Sequence, residues 1–440
     1  MKKYYLLFVL VFGTIVLHAQ HFDRTRLDSL FALLEKNQKG MGSVSVFYDG
    51  EEVYQKSIGF ADVENGLPAD AQTKYRIGSI SKTFTAAIIM QLVDEAKLSL
   101  DMHLAAFFPE IENAELITIA QLLRHRSGIY NFTNVPQYTD WMEQPKSRLE
   151  MVEVIRQSGS EFSPGTKAGY SNSNYVLLSL IIEKITNKEF AQVLHDRISS
   201  PLGLKNTYFG SKISPAQNEA MSYTLAGNSW VPATETDMSI PLGAGAIVST
   251  PGDLNRFFHA LFTGNVVSPT SLMEMQQLED HFGLGLFQMP FYERQAVGHT
   301  GGIDGFQSNV AYFQKDKVSV AYLTNGVSMT VNDILIGVLS LYFGRDYDLP
   351  QFTPFMQLTT EQLDKYLGVY ASDAIPLKIT ISKNGNTLIA QATGQSSFPL
   401  DAYDVDKFQR EQIGLKLQFF PAEQKMTLMQ SGMVFEFVKE

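Results

Sequence analysis

A serine and a lysine stand three positions apart where an extended segment leads into an apolar run. Ser79 follows the segment Tyr75 to Gly78, and Lys82 directly precedes the run Thr83 to Val93, which predicts a helix buried on every side. Residues three apart share one helix face, so the lysine is placed to take the proton of the serine hydroxyl. The backbone N–H groups at the helix start can stabilise an oxyanion. The pair therefore has the residue types for acyl transfer by a nucleophilic serine.

This spacing is a weak signal when it is taken alone. A chain of 440 residues contains about one S-x-x-K by chance, and a helix-capping serine followed by a solvated lysine has the same pattern. Other residues must therefore support the hypothesis.

A second polar element is the turn that contains Tyr170 and Asn172, before the apolar run Tyr175 to Ile182. A phenol ordinarily has a pKa of about 10, but a neighbouring lysine favours the phenolate, so we predict a lowered pKa and a base role for Tyr170. The Asn172 amide can bind a substrate amide or orient Lys82. Taken alone, the two residues are more typical of an ordinary turn, in which the tyrosine packs its ring.

A third element is the glycine-rich sequence His299-Thr300-Gly301-Gly302 in a strand-like segment. Glycines let a substrate approach the backbone closely, and the N–H of Gly302 can complete an oxyanion hole begun by Ser79. A glycine-rich bend with a half-buried histidine is the alternative interpretation.

The order S-x-x-K, Y-x-N, H-T-G is far more specific than any one element. With its surroundings it resembles the serine β-lactamase and penicillin-binding protein family, in the branch of class C β-lactamases, D-alanyl-D-alanine carboxypeptidases, esterases and D-aminopeptidases. The matching stretches within residues 21–344 are Tyr75 to Thr85, Leu122 to Gly128, Tyr170 to Tyr175 and Gly243 to Pro251. The sequence Leu363 to Tyr370 looks like the start of the lipocalin-like β domain often appended to this family.

The resemblance implies a mechanism and a departure from it. Ser79 is expected to form an acyl-enzyme, with Tyr170 and Lys82 sharing the proton transfers and no cofactor or metal. Asn172 and the residues His299, Thr300, Gly301 and Gly302 are expected to bind substrate. β-Lactamases carry a lysine at the position of His299, which helps bind a substrate carboxylate, and a histidine is mostly neutral at pH 7. We therefore expect an ester or a D-amino-acid amide as substrate, with little penicillinase activity.

The elements that must position these residues predict an α+β domain. Strand-like runs flank the turn Asp49-Gly50 near the start and recur from about Phe282, with helical patterns between them and an apolar helix from Val331 to Phe343. One antiparallel sheet built from both ends of the domain, flanked by helices and joined by an all-helical lobe, satisfies this order.

A second domain is predicted after a proline-containing linker. The expected boundaries are a main domain over residues 20–344, a linker over 345–360 and a small β-barrel over 361–440, with a small sandwich as the alternative. The barrel strands are predicted at Leu377 to Ile381, Thr387 to Ala392, Leu415 to Phe420, Met426 to Gln430 and Val434 to Val438.

Composition and the first residues limit the setting. A net charge of -11 without a basic tract argues against nucleic acid or an anionic membrane surface as partner. The resemblance implies a small-molecule or peptide substrate. The absence of cysteine excludes disulfides, thiol nucleophiles and a lipidated cysteine. Lys2 and Lys3, the apolar run Tyr4 to Leu17 and Ala19 match a signal peptide over residues 1–19, and hence a periplasmic or secreted protein. A retained anchor is the alternative, although this run is shorter than the roughly 20 residues that span a bilayer.

Three other functions compete with this prediction. A Ser-His-Asp hydrolase lacks support because no G-x-S-x-G elbow occurs in the sequence, and a metallohydrolase lacks an H-E-x-x-H or comparable ligand cluster. A catalytically inactive cell-wall-binding or sensor protein on the same fold remains the main alternative, because fold does not fix function.

Overall fold

The chain is described by a computed structural model that covers residues 22–226, 229–352, 356, 358–375, 377–395, 397–410, 413–430 and 433–440. The predicted signal peptide, residues 1–19, lies outside the described residues. None of the helices in the described ranges is long and apolar enough to cross a bilayer.

Helices cluster in the middle of the chain and flank a sheet. They are α1 (Arg24–Lys36), α2 (Ser81–Asp94), α3 (Ile119–Leu123), α4 (Tyr138–Trp141), α5 (Arg148–Ser158), α6 (Asn172–Thr186), α7 (Phe190–Leu194), α8 (Pro251–Phe262), α9 (Pro269–Gln276), α10 (Val331–Tyr342) and α11 (Thr360–Leu363). The strands before the barrel are β1 (Gly40–Tyr48), β2 (Glu51–Ile58), β3 (Phe60–Asp62), β4 (Leu67–Pro68), β5 (Tyr75–Arg76), β6 (Tyr208–Phe209), β7 (Tyr223–Ala226), β8 (Ser229–Pro232), β9 (Ile247–Ser249), β10 (Phe287–Phe291), β11 (Arg294–Ile303), β12 (Phe306–Phe313) and β13 (Val318–Val327).

The main sheet joins both ends of the first domain, as the sequence predicts. Six of the described strands pair antiparallel in the order β10-β11-β12-β13-β1-β2, so β1 lies beside β13. Helices α1 and α10 pack on one face, and α8 packs on the other. Helix α6 is buried along most of its length and contacts α2, α3, α5 and α7, forming the core of the helical lobe. The predicted α+β fold class is confirmed.

The C-terminal strands close into a barrel. Its described strands are β14 (Gly368–Ala371), β15 (Lys378–Asn384), β16 (Thr387–Ala392), β17 (Phe398–Asp404), β18 (Lys407–Arg410), β19 (Leu415–Phe420), β20 (Lys425–Gln430) and β21 (Met433–Lys439). The sequence patterns missed β14, β17 and β18. Two of these have only four residues, too few for a clear alternation, and β17 contains Pro399 and two aspartates, which are depleted in strands.

Residues of the predicted linker, 345–360, contact both the main domain and the barrel. Tyr347, Leu349 and Phe352 pack against the core formed by α1, α10 and the sheet. The N–H of Met356 already donates to the carbonyl of Ala402 in β17. Phe352 therefore packs with the main domain, and Met356 bonds to the barrel.

Candidate active site

Ser79 lies in a short 3-10 turn, Gly78–Ile80, which leads directly into α2. Gly78 has a φ of 49°, a left-handed conformation that favours glycine, and a Cβ there would lie 2.8 Å from the Gly302 nitrogen. The turn therefore brings the backbone beside Ser79 against β11, and it requires glycine to do so.

Lys82 is fully buried and its side-chain nitrogen is shared by three oxygen atoms. Its Nζ lies 2.8 Å from each of Ser79 Oγ, Asn172 Oδ1 and the carbonyl oxygen of Ala244. Burial lowers the pKa of Lys82 well below its usual range. The described residues contribute no carboxylate partner to this nitrogen, so burial shifts Lys82 towards the neutral amine.

Tyr170 completes the contacts of the serine. Its hydroxyl donates to Ser79 Oγ over 2.8 Å, while 36% of the residue stays exposed. The sequence predicts a lowered pKa for this phenol, and the structure gives the opposite direction, since burial of the hydroxyl raises the pKa of Tyr170 to about 12. The physical reason is that Lys82, the cation expected to favour phenolate, is itself held towards its neutral form by burial.

Asn172 is the first residue of α6 and is held from two sides. Its backbone N–H donates to Asn131 Oδ1 over 3.0 Å, and its Nδ2 donates to Thr133 Oγ1 over 3.2 Å. This arrangement leaves its Oδ1 directed at Lys82. Of the two roles that the sequence leaves open for Asn172, orientation of Lys82 is the one with a contact in the structure.

His125 positions Tyr170, a role that the matching stretch Leu122 to Gly128 does not reveal by its sequence. The His125 ring stacks on the Tyr170 ring at a centroid distance of 4.4 Å, and its Nδ1 accepts the Ser171 N–H. Burial lowers the pKa of His125 well below its usual range. A neutral imidazole therefore packs against the tyrosine ring. The backbone φ of His125 is 56°, a left-handed conformation that is uncommon for residues other than glycine.

The strand β11 passes directly beside the serine turn. Gly301 is the closest point, because a Cβ there would lie 2.1 Å from the carbonyl oxygen of Ile77 and 3.0 Å from the Ser79 nitrogen. A Cβ on Gly302 would meet nothing nearer than 3.9 Å. The structure therefore brings the backbone of these two glycines to Ser79, as the motif predicts.

The side chains of His299 and Thr300 have other surroundings. His299 is 2% exposed, contacts the Thr300 carbonyl through Nδ1 and packs on the Phe287 ring. Burial, with a smaller contribution from Lys82, lowers its pKa to about 3, so the ring is neutral at pH 7. Thr300 is exposed and lines a cavity on the α10 side of the sheet. The structure thus brings neither side chain into contact with Ser79, Lys82 or Tyr170.

A buried ion pair holds β11 near the serine turn. Arg76, three residues before Ser79, bonds Asp304 in the turn after β11 over 3.0 Å, and both side chains are almost fully buried. Asp304 also accepts from the backbone N–H and the hydroxyl of Thr236. Although Arg76 Nε has no hydrogen-bond partner among the described residues, the buried pair and its further hydrogen bonds hold the two segments at a defined spacing.

A cavity of about 360 Å³ opens beside Ser79. Its walls include Asn172, Gly302, Phe132 and Thr236. Within the described ranges, neither lysine nor arginine contributes to its lining, and clusters of acidic and histidine side chains that could hold a metal ion do not occur.

Comparison with known proteins agrees with this architecture. The sequence model of the Beta-lactamase family matches residues 28–337, more than half of the chain. The chain belongs to the Beta-lactamase family. It is accordingly a β-lactamase-related hydrolase, and the predicted family resemblance is confirmed.

Three relatives show the range of this likeness. The teichoic acid D-alanine hydrolase of Staphylococcus aureus is 27% identical over 308 residues, which are 67% of this chain and 74% of that protein. The D-amino acid amidase of Ochrobactrum anthropi SV3, solved with D-phenylalanine, has a TM-score of 0.62 and 28% identity, covering 72% of this chain and 98% of that one. The octameric penicillin-binding protein homologue of Pyrococcus abyssi has a TM-score of 0.67 and 24% identity over 95% of this chain and 100% of that one, a likeness of fold.

Proposed function

We propose that this chain is a serine hydrolase that forms an acyl-enzyme on Ser79 and acts on an ester or a D-amino-acid amide. The observation that carries the proposal is the placement of Ser79 Oγ within 2.8 Å of both Lys82 Nζ and the Tyr170 hydroxyl. A nucleophile in contact with a base candidate that a third group orients is the arrangement of covalent catalysis.

Lys82 is the base of the first step. A neutral amine has two N–H bonds and one lone pair, and two of its three neighbours, Asn172 Oδ1 and the Ala244 carbonyl, can only accept. These two acceptors take both N–H bonds, and the lone pair is left for the Ser79 hydroxyl. The lowered pKa of Lys82 increases the fraction of neutral amine that can act as a base.

Acylation then proceeds with a separate proton donor. The Ser79 proton moves to Lys82 as Oγ bonds to the substrate carbonyl carbon, and the N–H groups of Ser79 and Gly302 stabilise the oxyanion. The phenol of Tyr170, with a pKa of about 12, donates its proton to the departing amine or alkoxide as the bond to carbon breaks. The Lys82 ammonium then returns a proton to the phenolate.

Deacylation again uses Lys82 as the base and Tyr170 as the acid. Lys82, neutral again, takes a proton from a water molecule whose oxygen attacks the acyl carbon. The ester bond to Ser79 breaks, its Oγ regains a proton from the Tyr170 hydroxyl beside it, and the acid leaves. The Lys82 ammonium then returns a proton to the Tyr170 phenolate, which restores the starting state.

The surroundings of the cleft favour a substrate without a carboxylate. His299 is neutral and buried where related β-lactamases have a lysine, and the described residues lining the cavity beside Ser79 include no cationic side chain. The names of two relatives, a teichoic acid D-alanine hydrolase and a D-amino acid amidase, point in the same direction. A chromogenic cephalosporin is therefore expected to be a poor substrate.

We also propose that the protein works outside the cytoplasm. The support is the sequence of residues 1–19, with its two lysines, apolar run and terminal alanine. Fractionation of expressing cells, followed by determination of the N-terminal residue of the exported form, tests this proposal. A chain that stays in the cytoplasm with its first 19 residues attached would contradict it.

Labelling of Ser79 tests the catalytic proposal. The purified protein is treated with a fluorophosphonate and the adduct is located by mass spectrometry, with Ser79→Ala as the variant and Ser222→Ala, a buried serine on another loop, as the control. We expect an adduct on Ser79 that is lost only in the first variant. Lack of labelling, together with lack of turnover of p-nitrophenyl esters and D-alanine amide, would favour a non-catalytic cell-wall-binding or sensor protein.

A further inference from the structure

Five aromatic rings, beginning at Tyr170, lie in consecutive contact. The row runs from Tyr170 through His125, Phe282 and Phe287 to His299, and the successive ring centroids are 4.4, 5.2, 5.4 and 4.3 Å apart. These distances are typical of attractive stacked and edge-to-face pairs. The row therefore connects Tyr170, which precedes α6, with the strand β11.

His125 holds the chain on both sides of Tyr170. Its carbonyl accepts the Gly169 N–H over 2.8 Å, and its Nδ1 accepts the Ser171 N–H over 3.1 Å. The imidazole also stacks on the Tyr170 ring itself. A displacement of His125 would therefore move the Tyr170 hydroxyl relative to Ser79 Oγ, its hydrogen-bond partner.

Phe282 packs on His125 from the segment between α9 and β10. Its ring meets the imidazole edge-on, at an interplanar angle of 63°, and Phe287 packs on it in turn. Its backbone is held in a closed turn, because the Phe282 N–H donates to the Glu279 carbonyl over 3.0 Å and the Glu279 N–H donates to the Phe282 carbonyl over 2.9 Å. The ring that contacts the imidazole is thus fixed by its own backbone as well as by its neighbours.

An ion-paired arginine joins this turn to the loop that contains His125. Arg126, the residue after His125, places its Nε 3.1 Å from Glu279 Oε1 and also pairs with Asp280. The arginine side chain is only 13% exposed, so these pairs are partly shielded from solvent. The turn and the His125 loop are therefore connected both by the ring of Phe282 and by charge.

We propose that Phe282 is a positioning residue for the reaction, which keeps the Tyr170 hydroxyl against Ser79 Oγ by fixing His125. The inference rests on the proposed function, in which Tyr170 gives a proton to the leaving group. Removal of the Phe282 ring leaves space beside the imidazole, so that His125 can shift and the Tyr170 hydroxyl shifts with it. A rate that depends on the tyrosine proton then falls, whereas a rate that does not depend on it is kept.

Phe282→Ala, assayed with two substrates, tests this role. We expect kcat/KM for D-alanine amide, whose leaving group needs a proton, to fall about tenfold, and the acylation rate with a p-nitrophenyl ester to fall less than about threefold. Rates are expressed per active site titrated with a fluorophosphonate, so that unfolded protein does not contribute. Phe60→Ala removes an exposed ring from β3 and is the control, which should leave both rates unchanged.

A double-mutant cycle shows whether Phe282 acts through Tyr170. In the Tyr170→Phe protein the proton donor is already lost, so Phe282→Ala should change kcat/KM for the amide by less than about twofold. Phe282→Tyr keeps the ring and should retain both rates. Should the alanine variant fold poorly, Phe282→Leu keeps most of the apolar volume without the ring and should show the same selective loss.

The outcomes separate this inference from the proposed function. Losses that multiply in the cycle, or that are equal for the amide and the ester, would overturn the role of Phe282 while acylation of Ser79 still stands. An unsubstituted protein that turns over neither substrate would overturn both.

Discussion

The helix-start half of the site, Ser79, Lys82, Tyr170 and Asn172, lies at or just before the starts of α2 and α6 and joins its side chains to one another, whereas the strand-borne half, His299–Gly302, presents backbone. In the first half, hydrogen bonds of 2.8 Å join Ser79 to both Lys82 and Tyr170. In the second half, His299 is buried against Phe287 and Thr300 faces the cavity on the α10 side of the sheet. The side chains that contact Ser79 therefore lie at or near the starts of two helices, whereas the strand brings backbone to the serine turn.

The largest effect is expected from Lys82→Met, which keeps the volume of the side chain but removes the base. We expect the rate of Ser79 acylation by a p-nitrophenyl ester to fall by about 10³-fold. Lys188→Met is the control, because Lys188 lies in the loop after α6 with 55% of its side chain exposed. This variant should act like the unchanged protein. A loss of tenfold or less, with the fold intact by circular dichroism, would remove Lys82 from the role of base.

Gly301→Ala tests whether the two halves must touch. Because the added Cβ would lie 2.1 Å from the Ile77 carbonyl, the serine turn and β11 must separate, and we expect kcat/KM to fall about 10²-fold. Gly302→Ala adds the same methyl group where its nearest neighbour is 3.9 Å away, and it keeps the N–H. Similar kinetics for the two variants would show that contact between the halves is unimportant for the reaction.

Tyr170→Phe tests whether Tyr170, in the helix-start half of the site, acts as an acid or as a base. A phenol with a pKa of about 12 is a proton donor, so its loss should slow D-alanine amide hydrolysis by roughly 10²-fold. A p-nitrophenyl ester, whose leaving group departs without a proton, should lose less than about tenfold in its acylation rate. Tyr292→Phe, 61% exposed, serves as the control. Equal losses on both substrates would instead indicate that Tyr170 is the base.

His299→Asn should affect stability more than turnover. The pKa of His299 is about 3 in the folded chain and about 6.5 when unfolded, so the unfolded chain binds more protons between these values. Folding stability is consequently lost as the pH falls through this window, by up to roughly 1 kcal/mol per pH unit from this residue. Thermal unfolding between pH 7 and 4 should show a flatter decline for the variant. His195→Asn, at an exposed position, should retain the original slope.

Much of the fold follows from local patterns in the sequence. The turn Asp49-Gly50 and its flanking alternation locate β1 and β2, and the apolar run after Lys82 locates α2, because these signals depend on residues a few positions apart. The sequence patterns predicted only some of the strands of the closed barrel. Its shorter strands are specified by pairing with neighbours rather than by their own composition.

The sequence by itself determined which groups are available for chemistry: a serine and a lysine one helical turn apart, a tyrosine and an asparagine before a second helix, and a glycine pair in a strand. Only the tertiary structure decided which contacts these groups make and in which direction their pKa values shift. Lys82 meets the carbonyl of Ala244, 162 positions away, and this contact assigns its second N–H. Burial reverses the expected direction of the pKa of Tyr170. Both results depend on desolvation and on contacts between distant segments, and a linear pattern of residue types contains neither.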